Sequence, residues 1–140
     1  MADKPTIFAI DFGTSNSLLA AARPGGVFEP IPLDDEARDP TILKSALYFG
    51  DGEARFGAAA IRALVEGGYR GRLIRSIKRH LPSRSFTATT IGSRRATLED
   101  LIGAFLRAMR ERACAHFGAD VRRVVLGRPA RFSNDPGDDA

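Results

Sequence analysis

Residues 7–22 read IFAIDFGTSNSLLAAA, two apolar runs joined by a polar turn, and the fold depends on how that turn is read. Residues 7–10 form the continuous apolar run expected of a strand covered on both faces, and residues 18–22 form a second. Between them, Gly13 and Asn16 have the conformational freedom that a hairpin turn requires. Asp11 has no such explanation. A carboxylate at the inner end of an apolar strand must be solvated, hydrogen-bonded or close to a cation, because burying it bare is very costly.

Around this hairpin, the 140 residues suffice for one modest domain with a real core. Cys114 is the single cysteine, so no intramolecular disulfide forms and an oxidising compartment gains no support. Residues 1–5 lead into the first strand without the charged and apolar regions of a secretory signal, and no apolar run reaches the length of a membrane span. The expectation is a cytoplasmic protein with no membrane partner. A formal charge of +4 raises the question of nucleic acid. The arginines are scattered, with no aromatic-interleaved stripe, zinc signature or helix-turn-helix beside them, so no nucleic-acid partner is expected. His80 and His116 are too isolated for metal ligation, and Cys114 reads as a core or boundary residue.

Further along, residues 27–33 read as a third strand, irregular because of Pro30 and Pro32. Residues 34–40 form an acidic loop, 45–49 a short strand, and 50–52 a turn before 54–56. Residues 57–66 have a helical pattern stopped by Gly67 and Gly68, and 70–81 read as a second helix ended by Pro82. A hairpin is expected around Gly92 and Ser93. Thr97 with Asp100 makes a weak capping box for a long helix whose apolar face is Leu98, Leu101, Ile102, Phe105, Met109 and Ala113, closed by Gly118. Residues 123–126 then read as a buried strand, placed parallel to the first because a helix returns the chain to the sheet. The acidic tail, 133–140, is expected to fray.

In the first turn, backbone amides converging around Gly13 and Asn16 make a concavity suited to phosphate, with hydroxyls from Thr14, Ser15 and Ser17. Asp11 would repel that phosphate unless a metal stood between them, and Mg²⁺ is usually held by one or two carboxylates plus phosphate oxygens. The group Asp11, Gly13, Thr14 and Ser15 therefore makes joint sense as a Mg-nucleotide site, against the plain alternative of a structural hairpin. On the helix expected over 70–81, Leu73, Ile74, Ile77 and Leu81 share a stripe, Arg72, Arg75 and Arg79 fall away from it, and Lys78 lies at its border. Lys78 either snorkels over the core or enters a cleft to neutralise a γ-phosphate.

IDFGTSNS resembles the first phosphate motif of the actin-like ATPases, in the version of the seventy-kilodalton heat-shock (DnaK-like) chaperones. RLIRSIKRHL resembles the helix of those chaperones that carries their catalytic lysine, which falls on Lys78. VVLGRPARF resembles the strand and proline segment of the same lobe, with Pro129 at the proline-switch position, and GRPARF is most similar to the YegD-like branch. The order and spacing agree over nearly the whole chain.

This resemblance implies an α/β, ribonuclease-H-like lobe over residues 1–132 with a small insert over about 40–96. It implies ATP and Mg²⁺ as cofactors, with K⁺ a further candidate ion. Asp11 would act through metal-bound water and Gly13, Thr14, Ser15 and Asn16 would hold phosphates, while Lys78 would assist hydrolysis. The family's second phosphate motif, adenosine motif, catalytic glutamate and peptide-binding domain are expected beyond Ala140. The arginine that answers the proline switch is not recognisable in 133–140.

A second lobe of the same protein is thus the expected partner, with polypeptide clients or co-chaperones for the whole, and the 140 residues alone are expected to self-associate and not to hydrolyse ATP. Sugar kinases and bacterial actins share a similar first hairpin but do not readily explain the segment around SIKRHLP. A nonenzymatic interaction module is the alternative of a different class.

Overall fold

The computed structural model describes residues 3–81 and 86–127. Pro82, Pro129 and the tail 133–140 lie outside the described residues. Strand β1 (Ile7–Phe12) pairs antiparallel with β2 (Asn16–Arg23), Phe12 facing Ser17 and Ile7 facing Ala22. A two-residue β3 (Gly26–Val27) and β4 (Leu43–Lys44) both pair with β2, β4 through Asn16↔Lys44 and Ser17↔Leu43. The third strand is far shorter than residues 27–33. Pro30 and Pro32 have no amide to donate to a ladder, yet Ile31 and Leu33 still reach the core from the irregular segment.

β1 and β2 are covered on one face, not two. Phe8, Ile10, Phe12, Ser17, Leu19 and Ala21 are buried, whereas Ala9, Asp11, Asn16, Leu18 and Ala20 are exposed. The alternation is the period of two that a half-covered sheet imposes.

The next elements form a smaller unit. β5 (Ala46–Gly50) turns through Asp51 and Gly52, both at positive φ, into β6 (Glu53–Phe56), and helix α1 (Ala58–Glu66) follows. The expected helix over 70–81 is absent. Residues Arg72–Arg75 form strand β7, antiparallel to β5, and Ile77–His80 form one 3₁₀ turn. Gly71 at φ +86° and Ser76 at φ +55° bracket β7 and interrupt any α-helical path. Adjacent apolar residues then serve opposite faces. Leu73 joins Ala46, Tyr48 and Ala60 under α1, while Ile74 joins Leu47 in the main core. Leu81 is exposed, outside the stripe assigned to it.

β8 (Ala88–Ile91) and β9 (Arg94–Thr97) form the hairpin about Gly92 and Ser93. Helix α2 (Leu98–Phe117) starts with a complete capping box: the Asp100 amide donates to Thr97 Oγ1 and the Thr97 amide to the Asp100 carboxylate, at 3.1 and 2.9 Å. Leu98, Leu101, Phe105, Met109 and Ala113 are buried against the sheet, Phe105 lying 5.7 Å from Phe12 and 6.3 Å from Phe56 between ring centroids. Gly118 closes the helix in the left-handed conformation. β10 (Val124–Gly127) returns parallel to β1, with Phe8↔Val124 through Asp11↔Gly127, as the crossover argument requires. It is the sheet's edge strand among the described residues, and its apolar side chains are exposed rather than buried. The architecture is mixed α/β, with two helices and three sheets among the described residues.

Candidate phosphate-binding turn

The turn between β1 and β2 is held by a closed ring of hydrogen bonds. Ser45 Oγ donates to the Gly13 carbonyl at 2.8 Å, and the Gly13 amide donates to Ser17 Oγ at 3.3 Å. With the Ser45 proton committed, Ser17 Oγ donates to Ser45 Oγ across 2.9 Å. Both serines are buried, so each hydroxyl needs its partners inside the protein. The Ser45 amide also donates to the Ser15 carbonyl at 2.9 Å. A Cβ on residue 13 would lie 2.0 Å from the Asn16 carbonyl oxygen, so the turn closes only around a glycine. Gly13 is there for close approach.

Thr14, Ser15 and Asn16 are exposed on this braced frame, and among the described residues the Thr14 and Ser15 amides donate to no protein acceptor. The Asp11 carboxylate is solvent-accessible on the open face of the sheet, one of the three resolutions its position allowed. The ladders place Asp11 opposite Leu18, and Asn16 opposite Lys44, so Asp11, Asn16 and Lys44 share that face.

Lys78 reaches the same turn from the 3₁₀ segment. Its half-buried side chain donates from Nζ to the Phe12 carbonyl at 2.5 Å and passes over the Phe12 ring, 5.9 Å from the centroid. Ile77, beside it, is fully buried and anchors the segment to the core. An ammonium carries three donors, and Phe12 takes one. Asp11, Gly13, Thr14, Ser15, Asn16 and Lys78 therefore meet at one end of β1. Pro129 lies outside the described residues.

Among the described residues no three His, Cys, Asp or Glu side chains gather to enclose a metal. A single exposed carboxylate beside hydroxyls and free amides suits a hydrated Mg²⁺ shared with phosphate oxygens, which needs only one or two protein carboxylates. The Cys114 thiol is half-buried on α2 and faces the Val121 carbonyl at 3.9 Å.

Sequence reasoning missed the roles of five residues. Ser45 is a polar residue at the head of the apolar run expected over 45–49, a break in pattern that marks it for an internal hydrogen bond, and it lies between β4 and β5. Asp34, in the loop taken as merely acidic, is buried and accepts the Ala58 amide at 2.7 Å, capping α1 from a distance. Gly57 admits that carboxylate: its φ is +71°, and a Cβ there would lie 2.3 Å from Asp34 Oδ2. Arg75 and Arg79, set apart from the site on the expected helix, line a cleft with Ser15 and Asn16. No helix among the described residues is long and apolar enough to cross a membrane.

No protein-family model matches the chain. Curated relatives include the chaperone protein DnaK of Thermotoga neapolitana, 29% identical over 132 residues, which cover 94% of this chain and 21% of that protein. The chaperone protein DnaK of Halobacterium salinarum is 29% identical over 128 residues, covering 91% of this chain and 19% of that protein. The chain is thus similar, at low identity over most of its length, to these DnaK chaperones, and it spans about a fifth of the length of the curated relatives it matches.

Proposed function

We propose that this chain is the phosphate-binding part of a DnaK-like chaperone ATPase, within a ribonuclease-H-like lobe, and that the GRPARF wording puts it in the YegD-like branch. One observation supports the reading most. Lys78, distant in sequence, is anchored by a hydrogen bond to the carbonyl that follows Asp11, at the mouth of a turn whose outward groups are hydroxyls and amides.

Each residue then has a distinct task. The Thr14 and Ser15 amides and hydroxyls donate to phosphate oxygens, and the ring through Ser17 and Ser45 keeps those donors in place before a ligand arrives. Asp11 accepts hydrogen bonds from metal-bound water. Mg²⁺, when bound, supplies charge neutralisation between the carboxylate and the phosphates. Lys78, held by the Phe12 carbonyl, places a compact positive charge where charge develops on a transferred phosphoryl group. Hydrolysis also needs groups from other directions, so we expect the 140 residues to bind Mg-ATP without turning it over. K⁺, polypeptide clients, co-chaperones and a cytoplasmic location belong to the same proposal for the whole protein.

Calorimetric titration of ATP into the chain, with and without Mg²⁺, tests this. Mg-dependent binding should appear and should disappear in Asp11→Asn, whose melting temperature should match the parent's because the carboxylate is exposed. An absence of Mg-dependent binding would leave the nonenzymatic interaction module as the better reading. In a chain extended over the remaining length of the relatives, Lys78→Ala should lower the single-turnover rate far more than it weakens ATP binding.

A further inference from the structure

Beside the phosphate turn lies a second cleft, of about 450 Å³, whose walls come from β2, β4, β5, α1, β7 and the 3₁₀ segment. Lys44, Arg75 and Arg79 line it together with Ser15, Asn16 and Ser45, and no carboxylate does. The cations are held by the fold, not by chance proximity. Lys44 is fixed opposite Asn16 in the β2–β4 ladder, and Arg75 opposite Ala46 in the β5–β7 ladder. Ser76, donating its amide to the Ser45 carbonyl at 3.3 Å, takes φ +55°, and the turn it starts brings Arg79 to the same cleft. A non-glycine residue in that conformation is an unfavourable one that the surroundings must impose.

Several other arginines meet acids: Arg62 is paired with Glu36 and Glu66, Arg55 with Glu53, and Arg122 with Asp120. Among the described residues Lys44, Arg75 and Arg79 have no carboxylate within ion-pair distance. A larger cavity, about 930 Å³ between the two hairpins and α2, is lined by arginines and by Asp51, Glu53, Glu99 and Asp100, so its charge is balanced within the protein. In the smaller cleft three like charges repel one another with no carboxylate among the described residues lining it, and a bound anion removes that repulsion.

We propose that this cleft is a second anion site, for a phosphate dianion bound by Lys44, Arg75 and Arg79 with a hydroxyl donor from Ser15. It is separate from the Asp11 corner, needs no metal, and touches that corner only through Ser15 and Asn16. The Asp11 and Lys78 assignments can fail without it.

The test is titration of inorganic phosphate into the full 140-residue chain in metal-free buffer, followed by amide chemical shifts. The amides of Ser15, Asn16, Ser45 and Ser76 should move together and saturably. Lys44→Gln and Arg75→Gln, each an exposed position, should weaken binding by about tenfold, as expected for loss of one charge-assisted contact. Asp11→Asn should leave it unchanged or slightly tighter. Adding Mg-ATP afterwards identifies the natural source: displacement of phosphate assigns the cleft to the nucleotide's own tail, and retention assigns it to free phosphate or a phosphoryl group on another molecule. The proposal is overturned by no shift at these amides up to tens of millimolar, a scale set by the weakest site worth the name. Equal binding in both glutamine variants, or binding that requires Mg²⁺ and is lost in Asp11→Asn, overturns it as well.

Discussion

The two faces of the β1–β2 hairpin carry the same number of strands and nearly the same backbone, yet they do different work. One face presents Phe8, Ile10, Phe12 and Leu19 to α2 and is buried; the other presents Ala9, Asp11, Asn16 and Leu18 and is open. Because side chains alternate along a strand, stability and candidate chemistry occupy neighbouring residues without interfering. Phe12 belongs to both arrangements: its ring meets Phe105 in the core while its carbonyl holds Lys78.

The largest expected effect lies on the buried face. Phe8→Ala should cost about 3–5 kcal/mol by denaturant melting, since the ring is fully buried and leaves a cavity. Ala9→Ser, its neighbour on the open face, should stay within about 0.5 kcal/mol. Equal losses for the two would remove the distinction between the faces.

A smaller loss is expected at the seam. Ser17→Ala breaks the ring between Gly13 and Ser45 and leaves the Gly13 amide without its partner, for about 1–3 kcal/mol. If the ring preorganises the turn, Mg-ATP binding should weaken in the same variant, measured well below its unfolding midpoint. Unchanged binding would show that Thr14 and Ser15 need no bracing from below.

The smallest effect sits on neither face. The Thr97 amide, donating to the Asp100 carboxylate, holds that group below the usual carboxylate range. A carboxylate whose pKa is depressed by folding stabilises the fold above its unfolded pKa, and the contribution is lost as pH falls through the lower, folded value. Melting temperatures across the acid range should therefore fall less steeply in Asp100→Asn than in the parent.

Much of this was legible in the sequence. The hairpin at 7–22, the helix capped by Thr97 and Asp100, and the parallel return of 124–126 follow from local turn chemistry, a long 3.6-residue period and the crossover that a long helix makes back to the sheet. The segment 70–81 was not, because Leu73 and Ile74 satisfy a helical stripe as readily as they serve the two faces of a strand. Only pairing with β5 and the positive φ of Gly71 and Ser76 decide between them. The misreading also set Arg75 and Arg79 apart from the turn they flank.

By itself, then, the sequence determined the polar turn between two strands, the hydroxyl and amide groups it carries, and the long helix behind them, since each depends on residues close together in the chain. Tertiary structure decided that β1 is open on one face, that Asp34 caps α1, that Ser45 braces Gly13 and that Lys78 reaches Phe12. Those contacts join residues 24 to 66 positions apart. No local propensity encodes which distant partner satisfies a buried hydroxyl, a helix terminus or an ammonium; that is selected only when the packed core brings the candidates within hydrogen-bonding distance.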